Sequence, residues 1–262
     1  MSAPTLGQGP ETVPVEVLTD EELAVLAAPT GGIVVSPFLA EVPQEQRETA
    51  LRTAYRSLLA RGIVDPPTPE ATAAALARGD GHVELMVRQD VRSVMALREA
   101  AQAVVAIART TAAVQDFWYA HVVDDVALLE EVGSDGLHRF ALANAPDVPV
   151  LAAGAAVHPD AGDAEGDPVE LAGEEGDPTP PDEVLERLGA ALVRADLVVR
   201  HHGDHAPVML GLFTGPGGSW TTRVEQGGGA TPVAVPGRAE DARAAVRDLV
   251  DDAFAQLTIQ GR

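Results

Sequence analysis

The sequence predicts an α+β fold, built as two pseudo-repeated halves of helices followed by an antiparallel β meander. Apolar residues make up 46 % of the 262 residues but aromatics only 3 %, so the core is assembled from Val, Leu, Ala and Ile. At about 25 cal/mol per Å² of buried apolar surface, such small side chains need many contacts, and a broad sheet under helices supplies them. Helical periodicity with capping signals also gives way to short β-branched runs broken by Asp and Gly turns. That succession occurs twice, on either side of a segment of different composition.

Residues 1–12 are small, polar and punctuated by Pro and Gly, the composition of a loose tail. A strand is expected from Val13 to Val17. Thr19-Asp20-Glu21-Glu22 then reads as a capping box, with Leu23 and Leu26 on the inner face. Gln44 to Arg61 carries an apolar stripe of Ala50, Leu51, Ala54, Tyr55, Leu58 and Leu59, and Gly62 ends it. A shorter helix is expected from Pro69 to Arg78, with Thr68 as N-cap, Pro69 at the first helical position and Gly79 after the last.

Strands are expected next: His82 to Gln89 by alternation, then Ser93–Leu97, Ala103–Ala108, Phe117–Val123, Val126–Val132 and Leu137–Leu142. Asp124-Asp125 and Gly133-Ser134-Asp135-Gly136 supply turns. The rival for the early part is one long helix over Val91–Arg109, because Val91, Val94, Met95, Ala101, Val105 and Ala108 also fit helical spacing. In Phe117-Trp118-Tyr119, strand alternation puts Trp118 on the face opposite its neighbours, so at least one side of the triplet is core.

His158 to Glu183 holds ten carboxylates and no Arg, and is expected to be a mobile acidic linker. The second half then repeats the order. A helix is expected over Asp182–Ala195, and strands at Leu197–His201, Val208–Phe213, Trp220–Val224 and Thr231–Val235. A closing helix from Arg238 to Leu257 buries Ala242, Ala245, Val246, Leu249, Val250 and Phe254. The organisation expected is thus a tail at 1–12, a first half at 13–157, a linker at 158–182 and a second half at 183–262.

Composition narrows function. There are 40 acidic residues against 18 basic ones, all of them Arg, for a net charge of −22. Nucleic-acid affinity rests on cations displacing counterions, and adhesion to anionic lipid needs the same sign, so neither partner is expected. With no Cys, thiolate metal sites and Cys nucleophiles are excluded. No basic residue precedes Arg47, so a signal-peptide n-region is missing. No apolar run reaches the ~18 residues of a membrane span. A cytoplasmic protein is expected.

The densest group of ligand-type side chains is Arg200-His201-His202-Gly203-Asp204-His205. It resembles the first motif of metallo-β-lactamase-fold hydrolases, a strand followed by His-x-His-x-Asp-His, and makes a metal-dependent hydrolase using His202, Asp204 and His205 one alternative. Arg200, however, occupies the first ligand position, and no His follows His205 to complete a site. A hairpin turn at Gly203-Asp204 is the favoured reading, with no metal, no cofactor and no catalytic residue. Without Lys there is no phosphate-binding Gly-x-x-x-x-Gly-Lys loop, and no Gly-x-Ser-x-Gly elbow occurs. A second alternative is a winged-helix-like DNA-binding regulator presenting Arg47, Arg52, Arg56 and Arg61. Glu45 and Glu48 interrupt that row, and a solvated helix face is favoured.

The order of elements resembles the EspG family of type VII (ESX) secretion-associated chaperones over roughly Leu18 to Phe254. The resemblance is carried by the Leu18–Leu23 helix start, the Ala54–Val64 helix end, Ala71–Arg78, and His82–Val87 leading into the meander. Ser219–Val224, Pro232–Pro236 and the final helix carry its close. It implies a cytosolic chaperone or adaptor, not an enzyme, that binds a helical secretion substrate. It carries over no partner-contacting residue.

Overall fold

A computed structural model of the chain describes residues 10–26, 34–79, 85–171, 188, 191–201, 208–224 and 232–260. The fold is α+β, organised on a ten-stranded, wholly antiparallel sheet. In chain order the first half contains β1 (Val13–Thr19), α1 (Asp20–Leu26), α2 (Pro37–Glu41), α3 (Gln44–Ala60), β2 (Val64–Asp65), α4 (Pro69–Arg78), β3 (Met86–Val87) and α5 (Gln89–Glu99). The meander β4 (Ala103–Thr110), β5 (Gln115–Val123), β6 (Val126–Val132) and β7 (Leu137–Asn144) follows, and then α6 (Val148–Ala156). The second half runs through β8 (Val169–Glu170), β9 (Val193–His201), β10 (Val208–Gly215), β11 (Gly218–Val224), β12 (Val233–Gly237) and α7 (Ala239–Gln260).

Strand order in the sheet is β1-β7-β6-β5-β4-β9-β10-β11-β12-β8. Each half is a four-strand meander whose last strand pairs with the strand that opened that half, β1 on β7 and β8 on β12. The two meanders meet along β4 and β9, with Ala103 opposite His201 and Thr110 opposite Arg194. Matching the two-residue hairpins Val123–Val126 and Gly215–Gly218 puts a pseudo-two-fold axis between Ile107 and Leu197, which oppose one another. The predicted repeat is one of topology, and the acidic segment contains the opening strand of the second half.

One face of the sheet is covered by α6 and α7. Its core takes Val105 and Ile107 from β4, Leu197 and Val199 from β9, and Ala152, Ala156, Val246 and Val250 from the two helices. Against the other face of the first half pack α1, α3 and α5, through Leu23, Leu58, Val91 and Val94 onto Leu128 and Phe140.

The helix signals work as written. Thr19 Oγ1 accepts from Glu22 N at 3.1 Å, and Glu22 Oε2 accepts from Thr19 N at 3.1 Å, a closed capping box. Thr68 Oγ1 accepts from Ala71 N at 3.2 Å, and α4 ends on Gly79 at φ 69°, a left-handed C-cap that other residues adopt only with strain. Thr68→Ala is expected to lower stability by about 1 kcal/mol, read as a drop in denaturant midpoint at unchanged slope.

Several expectations need correction. Ser93–Leu97 is not a strand, nor does one helix run to Arg109: α5 ends at Glu99 and β4 begins at Ala103. Val91 and Val94 are both buried against the sheet, so the helical period wins over the short apolar run. Of the strand expected over His82–Gln89, only Met86–Val87 forms among the described residues, pairing with Val64–Asp65. Gln89 already opens α5.

Of the expected acidic linker, residues 158–171 are paired to the second half, and 172–183 lie outside the described residues. Gly162 N donates to Gly215 O and Ala164 N to Gly237 O, each at 2.9 Å. Asp163 Oδ1 accepts from Ala239 N at 2.9 Å, and Val169 is buried. Backbone pairing and one well-placed carboxylate order a stretch whose composition alone argues against order. The helix expected over Asp182–Ala195 does not reach its end, because Val193–Ala195 belongs to β9. Leu188 is helical and buried, and the rest of that helix lies outside the described residues.

Candidate functional site: a cleft on one face of the sheet and a buried ionic cluster on the other

α6 is nine residues long, and α7 is twenty-two. Beyond the outer flank of α6 the first-half sheet is left partly open, as a cleft of about 890 Å³. Its floor is a row of residues directly opposed across four strands: Val17 on β1, Arg139 on β7, Glu131 on β6 and Trp118 on β5. Strand alternation puts these on one face together with Pro14, Leu129 and Ala141, which also line the cleft. Val150, Leu151, Gly154 and Ala155 of α6 form one wall, and Pro10 and Thr12 stand at the other.

The cleft is apolar at its base and charged at intervals. Trp118 is buried, while Val17 and Val150 at the rim are 41 % and 47 % exposed. Arg109 is held by Asp116 at 2.6 Å and Arg139 lies 3.5 Å from Asp135. A Cβ added at Gly154 would meet nothing within 4 Å, so the helix wall has room exactly where a partner side chain can enter. Large apolar surface of this kind, with polar groups spaced through it, is what protein-binding sites offer.

On the opposite face of the same strands lies a buried ionic cluster. Glu130, fully buried on β6, receives His138 Nδ1 on Oε1 at 2.6 Å, and His121 Nε2 on Oε2 at 2.8 Å. Arg98 Nε of α5 donates to the same Oε2 at 3.0 Å. His138 Nε2 meets Asp20 Oδ1 at 2.5 Å, and Asp20 Oδ2 accepts from the backbone N–H groups of Phe38 and Leu39 at 2.8 and 2.9 Å. Beside it, Glu22 takes Arg61 at 2.7 Å.

Burial alone would raise the Glu130 pKa. The hydrogen bonds from His121 and His138, with the charge of Arg98, outweigh it and hold the carboxyl well below the usual carboxylate range. Burial alone would lower His138, but its bonds to Asp20 and Glu130 raise it. Burial, the largest influence on Tyr119, pushes that phenol up to about 12.

Sequence reasoning named none of these cluster residues except as strand or cap positions. The available signal was a titratable residue at an inward position of an apolar strand: His121 in β5, Glu130 in β6 and His138 in β7. The proposed metal candidates His202, Asp204 and His205 lie outside the described residues. Among the described residues no group of three or more His, Cys, Asp or Glu is placed to hold a metal ion. Of the arginines read as a possible DNA-facing row, Arg61 is bound to Glu16 and Glu22, Arg52 to Glu48, and Arg47 to the carbonyl of Val42. Among the described residues no helix is long and apolar enough to cross a membrane.

No protein-family model and no curated protein matches the chain. Among solved structures it is similar to the Mycobacterium tuberculosis type VII secretion system chaperone EspG5, determined in complex with a PE25–PPE41 dimer. The two share 13 % identity at a TM-score of 0.43, over 75 % of this chain and 93 % of that one. The resemblance is distant and structural.

Proposed function

We propose that this chain is a non-catalytic, cytosolic chaperone or adaptor that holds a helical secretion substrate of the type VII class, and that the cleft beside α6 is where it grips. The observation that supports the reading is the cleft itself: a Trp118–Leu129 base under two exposed valines, with open space above Gly154. A helix laid there packs its apolar stripe on Trp118 and Leu129 and crosses Glu131 and Arg139, which lie between Trp118 and Val17 on the floor. The element order named from the sequence supports the choice of partner class. A buried aromatic flanked by aliphatic side chains is the kind of anchor that concentrates binding energy, and the net charge of −22 favours a partner with basic residues around its apolar face.

The test is co-expression with helical secretion substrates encoded beside its gene, read by co-elution on gel filtration. Gly154→Phe starts from a position where a Cβ meets nothing within 4 Å, projects a ring into the cleft, and removes a helix-interior glycine, which by itself costs roughly 0.5–1 kcal/mol relative to Ala. The variant should keep or gain thermal stability and lose at least tenfold in affinity for the substrate. No complex with any such substrate would overturn the chaperone reading. A complex unaffected by Gly154→Phe would move the grip away from this cleft.

A further inference from the structure

Helix α2 is held by few contacts: Phe38 lies against Gly136, and Val35 N just before the helix donates to Tyr119 Oη at 3.4 Å. None of its five residues is buried, and its N-cap Ser36 makes no side-chain cap hydrogen bond. Phe38, its largest side chain, is 46 % exposed. Its first-turn N–H groups are satisfied instead from another helix, by Asp20 Oδ2 of α1 at 2.8 Å from Phe38 N and 2.9 Å from Leu39 N. Orphan donors at a helix start need such an acceptor, and here it comes from a residue eighteen positions away.

Asp20 is held in turn by His138. That ring lies between two carboxylates, with Nε2 at 2.5 Å from Asp20 Oδ1 and Nδ1 at 2.6 Å from Glu130 Oε1. A neutral imidazole has one N–H and one lone pair, so it can satisfy only one of them; both nitrogens donate only in the imidazolium. All three side chains are at most 1 % exposed, so no water is at hand to relieve a lone pair facing a carboxylate.

The charged and titratable groups around the ring are Asp20 and Glu22 from α1, Glu130 from β6, and His121 and Tyr119 from β5. Arg98 reaches Glu130 from α5, and Arg61 follows α3 and is bound to Glu22.

We propose that His138 is a standing imidazolium that acts as a latch. Its two hydrogen bonds fix the Asp20 carboxylate where it caps α2, and loss of the ring proton frees α2 and Phe38 from the sheet. The latch runs Glu130–His138–Asp20–α2, so a proton at one ring controls the docking of a helix that packing does not secure.

The test uses the full ¹⁵N-labelled chain. Long-range ¹H–¹⁵N spectra of the imidazoles should show both His138 nitrogens protonated at neutral pH. The Phe38 and Leu39 amides should be protected from hydrogen exchange, and His138→Gln should reduce that protection at least tenfold more than it reduces protection at Ile107 and Leu197. A neutral His138 tautomer at pH 7, or unchanged Phe38 and Leu39 protection in the variant, overturns the latch. If His138→Gln does not fold, the wild-type chain decides. Protection at Phe38 and Leu39, corrected for intrinsic exchange, must fall in step with His138 deprotonation as pH rises, and independence of the two overturns it equally.

Discussion

Replacing Glu130 by Leu is expected to destabilise the protein by about 3–5 kcal/mol, the range for removing one partner of a buried ion pair. The carboxylate accepts from His138, His121 and Arg98 at once. Its removal leaves three donors facing an apolar side chain, two of them on residues that are themselves buried. The measurement is equilibrium denaturation at neutral pH, where the variant should lose midpoint at an unchanged slope.

The pH profile gives a second readout. Glu130 has a depressed pKa in the fold, so its stabilisation is present above about 4.3, the free value for Glu, and is lost as pH falls toward the folded value. His138 has a raised pKa, so its share is complete below about 6.5, the free value for His, and is lost as pH rises through the folded value. The wild-type chain should therefore show both an acid and an alkaline limb from this cluster. In Glu130→Leu the acid limb should flatten; a variant that keeps its full acid limb and its midpoint would remove Glu130 from the centre of the cluster.

Leu197→Ala is expected to cost about 2–5 kcal/mol, by loss of buried methyl groups and by the cavity left behind. Leu197 is fully buried and directly opposite Ile107 in the ladder joining the two meanders. The chain holds two tryptophans, Trp118 in the first half and Trp220 in the second, which makes the consequence separable. Single-tryptophan versions, Trp118→Phe and Trp220→Phe, each report one half. Both fluorescence transitions should shift together in Leu197→Ala, because the seam belongs to one core shared by α6 and α7. A shift confined to the Trp220 signal would mean that the halves unfold independently.

The elements that sequence reasoning placed best are those with their own local chemistry. Thr68, Pro69 and Gly79 fix both ends of α4 by capping alone, and the Thr19/Glu22 box fixes the start of α1. The strands from Ala103 to Leu142 follow from alternation and turn residues, which are also local. Failures occur where the deciding contacts are distant. α6 was not expected, because Val-Pro-Val-Leu-Ala-Ala-Gly-Ala-Ala is apolar on every side and has no stripe to read; it becomes a helix by packing against α7 and the sheet.

Residues 158–171 fail for the opposite reason, since their acidic composition hides a segment held by backbone bonds to β10 and β12. The site was legible only in fragments. Trp118 was recognised as half of a two-sided triplet, but its pairing with Glu131, Arg139 and Val17 across three strands depends on register. The ionic cluster needs Asp20 brought beside His138 from 118 positions away, a proximity that the β1–β7 pairing creates.

The axis between Ile107 and Leu197 also bears on how the two halves are joined. A lone half ending its sheet at β4 would present that edge to a second copy, and the β4–β9 ladder has the antiparallel symmetry such a pair would adopt. The molecule thus has the geometry of two like halves joined edge to edge. With the two hairpins matched, Thr222 stands where the first half has Glu130, and Phe213 where it has His121. The frame is symmetric, but the side chains at these positions are not, and only one end of the sheet carries a buried ionic cluster among the described residues.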